Sequence, residues 1–234
     1  MIFRQFIDLT SCTYTYLLAS RTGGEALLID PVKENVAQYC TLLDQLDIRL
    51  VYAIDTHTHA DHVTALGALR DATSCITIMG QYSQASCVSQ KVQDGEILAV
   101  DGIRLQALYT PGHTNESFSF VLNPGEPRAV FTGDALLIRG SGRTDFQGGD
   151  AGRSWDSITE KLFTLPDDTI VYPGHDYKGW MSSSIGEEKR HNPRLAGRTR
   201  AEYIAIMDAL DLPHPKLMDV AIPANLACGQ PDQH

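Results

Sequence analysis

Five side chains that could bind a metal fall within one stretch of eight residues. They are Asp55, His57, His59, Asp61 and His62. Imidazole nitrogens and carboxylate oxygens are the donors that a borderline divalent metal such as zinc or iron accepts. Side chains two positions apart in an extended chain point the same way, so His57 and His59 are predicted to face one point. A lone histidine is more often structural, but this density favours a metal site over a hydrogen-bonded polar loop.

Three later turns each place a potential ligand directly after a glycine. They are Gly112-His113, Gly133-Asp134 and Gly174-His175. Glycine permits positive φ and close backbone approach, so such a loop can turn sharply and aim one side chain inward. One turn of this kind alone would indicate an ordinary surface turn. Three of them after a histidine-rich stretch predict that the chain gathers them at one site.

The elements that position these residues are predicted from hydrophobic spacing. Short segments over 2–7, 13–19 and 26–30 predict an antiparallel meander that ends at Asp30-Pro31. From Val36 the spacing becomes helical, and a buried strand over 50–54 follows. This β-α-β unit places the histidine-rich stretch at the carboxyl end of a strand, where ligands bind in layered α/β folds.

The same reading continues along the chain. Further strands are predicted over 75–79, 103–109, 117–122, 129–131 and 169–171. Three more helices are predicted, around Val63 to Leu69 with Asp61 or His62 near the start, around Trp155 to Leu162 with Ser154 as the cap, and around Tyr203 to Leu210. The section 81–94 is ambiguous, and the tail from Pro223 is predicted to be a loop.

Composition limits the classes of protein and partner. With 234 residues, 43% of them hydrophobic, the chain is expected to form a single domain over 1–234 with a short C-terminal extension. The net charge of -10 argues against nucleic acid as a partner. No apolar run approaches the length of a membrane span, and the start lacks a signal-peptide pattern, so a cytoplasmic protein without a membrane partner is expected. A homodimer is compatible with the sequence.

The cysteines predict reduced thiols. All five are widely spaced and no CxxC pair occurs, so neither a disulfide framework nor a thiolate zinc site is expected. The chain also has no GxGxxG dinucleotide-binding pattern.

The four ligand-bearing motifs together resemble the metal signature of the metallo-β-lactamase superfamily, in its glyoxalase II-like branch. They are His57-Thr58-His59-Ala60-Asp61-His62, Gly112-His113-Thr114, Gly133-Asp134 and Pro173-Gly174-His175. The resemblance implies an α/β fold, the αβ/βα sandwich with a metal site at one rim of the sheets.

Four further segments, and the sequence over nearly its whole length, resemble the persulfide dioxygenases, or sulfur dioxygenases. The segments are 138–147 (IRGSGRTDFQ), 172–177 (YPGHDY), Asn192-Pro193-Arg194 and Pro223-Ala224-Asn225. This resemblance implies one iron(II) per chain, held by His57, His113 and Asp134. It also implies oxidation of glutathione persulfide by dioxygen and water to sulfite and glutathione. Two histidines and one carboxylate leave open positions at iron(II) for a substrate and for dioxygen.

Other residues receive candidate roles around this site. Asp61, His62 and Asp176 are candidates to orient ligands or accept a proton, or are remnants of a second metal site. Tyr177 is expected to border the persulfide. Arg143 is expected to pair with a glutathione carboxylate, with a structural ion pair to Asp145 as the alternative.

Some nearby positions carry weaker expectations. Arg139 and Lys178 are weaker candidates for binding the substrate, with a solvated side chain as the alternative. Ser141 stands where members of the family can carry cysteine.

Two other functions remain open at this point. His59, Asp61, His62 and His175 could complete a second metal site bridged by Asp134, as in the thiolester hydrolase glyoxalase II. The GRTDFQ segment and the short C-terminal end favour the dioxygenase over that binuclear hydrolase. The third reading is a non-catalytic, metal-stabilised binding protein.

Overall fold

The structure is a computed structural model that describes residues 1–215 and 217–230. Its strands form two six-stranded sheets, and α-helices follow or precede them along the chain. None of the helices in the described residues is long and apolar enough to cross a membrane.

The first sheet has its strands in sequence order. They are β1 (Ile2–Asp8), β2 (Thr13–Ala19), β3 (Glu25–Ile29), β4 (Arg49–Ile54), β5 (Ile76–Gly80) and β6 (Gln90–Val92). β1, β2 and β3 pair antiparallel, which confirms the predicted meander. β3, β4, β5 and β6 pair parallel, so the predicted β-α-β unit is present. The carboxyl end of β4 therefore delivers the histidine-rich stretch to one edge of the sheet.

The second sheet has the order β12-β11-β10-β9-β8-β7. Its strands are β7 (Ile97–Val100), β8 (Ile103–Tyr109), β9 (Phe118–Leu122), β10 (Ala129–Gly133), β11 (Ile170–Pro173) and β12 (Ser183–Ser184). β10 pairs antiparallel with β9 and parallel with β11. The turns that carry Asp134 and His175 therefore follow neighbouring parallel strands and leave the sheet at the same edge.

Six α-helices complete the described structure. They are α1 (Val36–Gln45), α2 (Leu66–Thr73), α3 (Ala151–Glu160), α4 (Ile185–His191), α5 (Arg200–Asp208) and α6 (Met218–Leu226). In α1, Tyr39 and Leu43 are one helical turn apart and both are buried. α5 begins with a capping box in which Thr199 and Glu202 bond each other's backbone N–H groups.

The chain divides into two compact units, each with its own core. The first contains residues 1–92, 99–103 and the described residues from 214 onward, and Leu28, Leu43 and Leu66 belong to its core. The second contains residues 93–98 and 104–213, and Val130, Ile158 and Tyr203 belong to its core. The single domain over 1–234 stays a prediction.

Two predicted helix starts are wrong. The cap of α3 is Asp150, four residues before the proposed cap Ser154, because Asp150 is extended and its side chain accepts the N–H of Arg153. The Ser154 hydroxyl instead lies 2.8 Å from the Tyr203 hydroxyl. α2 begins at Leu66, so Asp61 and His62 stay in the loop that precedes it and do not cap it.

Five strands or α-helices of the described chain are not predicted from the sequence: β6, β7, β12, α4 and α6. β6, β7 and β12 are two to four residues long, and α4 has the mostly polar sequence IGEEKRH. The loop predicted from Pro223 onward is wrong as far as Leu226, because these residues lie inside α6; residues 227–230 are non-helical, and 231–234 lie outside the described residues. Burial of Ala221 and Asn225 stabilises this helix despite the proline, which has no N–H to donate.

The prediction that all five cysteines are reduced is also wrong. Cys87 and Cys228 form a disulfide, while Cys12, Cys40 and Cys75 are free. The two bonded cysteines are 141 residues apart in sequence, so spacing gave no indication of their contact.

Candidate metal centre

His57 lies in the loop that leaves β4, here called the metal loop (residues 55–64). Its Nδ1 is 2.9 Å from the Thr56 hydroxyl, which lies 3.0 Å from Oδ2 of the buried Asp30. The Asp30 carboxylate only accepts, so the hydroxyl donates to Asp30 and accepts the Nδ1–H of His57. The Thr56 N–H also donates to Asp30, over 2.7 Å. This relay fixes the tautomer of His57 and puts the lone pair on Nε2, as a metal ligand requires.

His113 is fixed by a backbone carbonyl. It follows Gly112, whose φ of +144° suits glycine, and a Cβ at Gly112 would collide with the backbone of Ser154. The Nδ1 of His113 is 2.7 Å from the carbonyl oxygen of Arg143. A carbonyl only accepts, so Nδ1 carries the proton and Nε2 carries the lone pair. Nε2 lies 3.6 Å from Oδ2 of Asp134.

Asp134 follows Gly133 at the end of β10. Its Oδ1 accepts a 2.7 Å hydrogen bond from Nδ1 of the buried His175. A Cβ at Gly174 would lie 2.7 Å from the same Oδ1, so the glycine lets the His175 turn approach the carboxylate. His175 therefore orients Asp134 and directs its other oxygen toward His113.

His57, His113 and Asp134 form one candidate metal-binding group. Each offers one ligand atom, and these atoms all lie within 4.8 Å of one another. Two imidazole nitrogens and one carboxylate oxygen, with the tautomers set as above, fit a divalent transition metal. The donor set fits the arrangement that non-heme iron(II) oxygenases use.

Two further candidate metal-binding groups include donors of the metal loop, and neither contains His57. His59, Asp61 and His62 offer ligand atoms within 4.8 Å of one another, as do Asp30, Asp55 and His59. The rings of His57 and His59 lie 4.3 Å apart, but Nε2 of His59 lies 3.3 Å from Asp30. Burial lowers the pKa of His59, and the Asp30 carboxylate outweighs burial and raises that pKa to about 9. His57 and His59 are thus neighbours that belong to different candidate metal-binding groups.

Known proteins resemble this chain over most of its length. The model of the metallo-beta-lactamase superfamily matches residues 12–87 and 88–175. The human and bovine proteins named "Persulfide dioxygenase ETHE1, mitochondrial" are each 44% identical over 230 residues, which cover 98% of this chain and 89% of theirs. The crystal structure of ETHE1 from Myxococcus xanthus superposes with a TM-score of 0.94 at 53% identity, covering 98% of this chain and all of that one.

The chain belongs to the persulfide dioxygenase family of the metallo-β-lactamase superfamily. The predicted fold class, an α/β sandwich of metallo-β-lactamase type, is thereby confirmed. The intact metal-binding cluster and these relatives make this persulfide dioxygenase a metal-dependent enzyme.

Arg143 of this persulfide dioxygenase makes the structural ion pair that the sequence left as an alternative. Its guanidinium donates to both oxygens of Asp145, over 2.7 and 2.6 Å. It also donates to the carbonyl oxygens of Leu212 and Pro213. The hydrogen bond to Asp145 raises the pKa of Arg143. Its role in binding glutathione stays a prediction.

The turn after His175 carries the other substrate candidate. Tyr177 is 72% exposed, and its ring stacks on His175 with centroids 6.1 Å apart. Asp176 is buried and accepts the N–H groups of Lys178 and Trp180 over 2.8 and 2.7 Å. Asp176 thus holds the turn that presents Tyr177. The predicted role of Asp176 in orienting ligands or accepting a proton stays a prediction.

Asp61 and His62 pair with each other beside β2. Nδ1 of His62 lies 2.9 Å from Oδ2 of Asp61, and the hydroxyl of Thr13 donates to the same oxygen over 3.0 Å. Their predicted catalytic roles likewise stay predictions.

Asp30 shapes the site but is not among the residues that the sequence predicts for it, whereas Arg139 and Ser141 are named there with other roles. Asp30 was interpreted only as the end of a meander, although an aspartate directly after a buried strand was a usable signal. Arg139, a weaker substrate candidate with a solvated side chain as the alternative, pairs with Glu187 and with the fully buried Glu188. Ser141 is buried 2.9 Å from the Tyr203 hydroxyl, so this position belongs to the packing behind the loop that holds His113.

Proposed function

We propose that this protein is an iron(II)-dependent dioxygenase that oxidises glutathione persulfide with dioxygen and water to sulfite and glutathione. The observation that carries the proposal is the 44% identity, over 98% of the chain, to human and bovine persulfide dioxygenases. The convergence of His57, His113 and Asp134 supports it independently. The terminal sulfur supplies all the electrons that dioxygen takes up, so the reaction needs no nicotinamide or flavin.

In this proposal His57, His113 and Asp134 hold one iron(II) per chain. When bound, iron(II) supplies the redox-active centre at which dioxygen reacts with sulfur. Thr56 and the Arg143 carbonyl keep the two imidazoles in the ligating tautomer, and His175 keeps the carboxylate turned toward them. These contacts hold the donor set in place before the metal arrives, which lowers the cost of assembling the site.

The substrate roles rest on position and chemistry. Arg143 offers a guanidinium for a glutathione carboxylate, and the exposed Tyr177 offers an apolar face beside His175 for the persulfide. Asp61, His62 and Asp176 are the groups proposed to orient ligands or take up protons as water enters the product. A cytoplasmic location is part of the proposal, and the human and bovine relatives are named as mitochondrial.

The deciding assay compares two reactions on one preparation. Anaerobically iron-loaded protein receives glutathione persulfide in an oxygen-electrode chamber, and a parallel sample receives S-lactoylglutathione. We expect oxygen uptake with sulfite formation in the first sample and no thiolester hydrolysis in the second. Hydrolysis without oxygen uptake would instead establish the binuclear hydrolase, and neither reaction would support a non-catalytic binding protein.

A further inference from the structure

The end of the described chain contacts the metal loop through one buried amide. Asn225, in α6, is only 2% exposed. Its Oδ1 accepts the N–H of Thr64 over 2.8 Å, and its Nδ2 donates to the carbonyl oxygens of His59 and His62 over 2.8 and 2.9 Å. One side chain thus satisfies three backbone groups of the loop that carries His57.

The chemistry of these bonds requires an amide. The two carbonyls need a donor and the Thr64 N–H needs an acceptor, and asparagine supplies both from one short side chain. Aspartate would keep the acceptor but set a carboxylate oxygen against two carbonyl oxygens. Alanine would leave three buried backbone groups unsatisfied, at a cost in stability of about 1–3 kcal/mol for each such group.

A covalent bond and backbone contacts hold Asn225 at this position. The disulfide joins Cys228, three residues after Asn225, to the half-buried Cys87. The carbonyl of Cys228 accepts the N–H of Gly67 over 2.9 Å. At Gly229, where φ is +73°, a Cβ would collide with the Thr64 carbonyl. The chain after α6 is therefore fitted closely against the end of the metal loop.

We propose that Asn225 is a positioning residue for the metal loop, and that the Cys87–Cys228 disulfide is the tether that keeps it there. Reduction of the disulfide then loosens the loop and speeds loss of the metal from His57. The inference deepens the proposed function, and it rests on His57 being a ligand of that metal.

The reductant is a low-molecular-weight thiol. One thiolate attacks the half-buried Cys87 sulfur, the sulfur–sulfur bond breaks, and Cys228 leaves as a thiolate that takes up a proton. A second thiol releases Cys87, so two thiols are oxidised to one disulfide while the protein gains two thiols. Glutathione, a product of the proposed reaction, belongs to this class.

The test uses the full chain in three measurements. Thiol titration of the denatured protein is expected to find three thiols before reduction and five after it, in agreement with three free cysteines among five. Iron release from the loaded protein to a coloured ferrous chelator is timed with and without a phosphine reductant. Hydrogen exchange at the Thr64 amide is measured in the metal-free protein.

We expect reduction to speed iron release about tenfold, which matches the lower end of the loss of metal affinity that follows removal of a group that orients a ligand. Cys87→Ser is expected to release iron at the rate of the reduced wild type, and the reductant is expected to leave that rate unchanged. Cys40→Ser, at a half-buried free cysteine, is the matched control and should match the wild type. Asn225→Ala and Asn225→Asp should both release iron quickly and lose protection at Thr64.

Other outcomes overturn the inference. Five thiols before reduction would show that the Cys87–Cys228 disulfide is absent, so that no tether exists. Unchanged iron release and unchanged Thr64 protection, on reduction and in Asn225→Asp, would show that the amide does not position the loop. If Asn225→Ala does not fold, iron release and Thr64 protection in Asn225→Asp and in the reduced wild type decide whether the amide positions the loop. A wild type that binds no iron would defeat the proposed function, and Thr64 protection in the metal-free protein would still decide the positioning role.

Discussion

At the scale of single residues, each proposed ligand is oriented by a hydrogen bond to a neighbouring group. A carboxylate fixes the direction of the Thr56 hydroxyl and so the tautomer of His57, and a backbone carbonyl does the same for His113. His175 donates to Asp134. The lone pairs that a metal needs are therefore set by hydrogen bonds on the opposite side of each ligand.

Arg143 tests whether the site also recognises glutathione. Arg143→Ala is expected to raise the Michaelis constant for glutathione persulfide about tenfold or more, because a hydrogen bond to a charged group contributes roughly 1.5–3 kcal/mol. Iron content is expected to stay at the wild-type level, since the carbonyl of residue 143, not its side chain, contacts His113. Steady-state oxygen uptake and metal analysis on one preparation measure both.

A matched variant separates recognition from structure. Asp145→Ala removes the partner of Arg143 but leaves the guanidinium, which still donates to the carbonyls of Leu212 and Pro213. It should change the Michaelis constant less than Arg143→Ala does. A falling melting temperature in Arg143→Ala with an unchanged Michaelis constant would show that the arginine is structural alone.

At the scale of elements, α4 and the turn after it hold the loop that fixes His113. Asn192 donates through Nδ2 to the Gly140 carbonyl over 3.0 Å, and Arg194 donates to the Ser141 carbonyl over 2.6 Å. The buried Glu188 carboxylate accepts the N–H of Arg139 over 2.9 Å and also pairs with its guanidinium. Polar contacts from α4 and the turn after it thus set the path of the chain that leads to the Arg143 carbonyl.

Two neighbouring glutamates on α4 test this role. Glu188→Ala is expected to lower the free energy of unfolding by about 3 kcal/mol, because the Arg139 N–H, the Ser183 hydroxyl and the Asn192 amide lose their buried acceptor and Arg139 loses one of its two carboxylate partners. Glu187→Ala is the control, since Arg139 pairs with it too but its side chain is 44% exposed. That control should cost less than about 1 kcal/mol.

Urea denaturation of the three proteins under identical conditions gives the comparison. Equal losses for the two glutamates would show that the buried pair does not stabilise the loop beyond an ordinary surface ion pair.

At the scale of the whole molecule, the sequence predicted what depends on local pattern. Apolar runs marked most strands of both sheets, and glycine followed by histidine or aspartate marked the turns that carry the proposed ligands His113 and Asp134. The missed features depend on contacts between distant residues. Asp30 accepts a hydrogen bond from Thr56, Asn225 donates to the metal loop, and Cys87 forms a disulfide with Cys228. No periodicity or local spacing encodes such pairs. Proline in α6 and polar side chains in α4 concealed two helices for the same reason, because tertiary contacts stabilise them.

The central claim is that one iron ion is held by His57, His113 and Asp134. The most direct test measures iron per chain in the wild type, His113→Ala and Asp134→Ala, purified identically without added metal, with the exposed His191→Ala as control. We predict about one iron per chain in the wild type and the control, and loss of iron in both ligand variants, because two remaining donors chelate too weakly. Wild-type iron content in His113→Ala or Asp134→Ala would contradict the assignment.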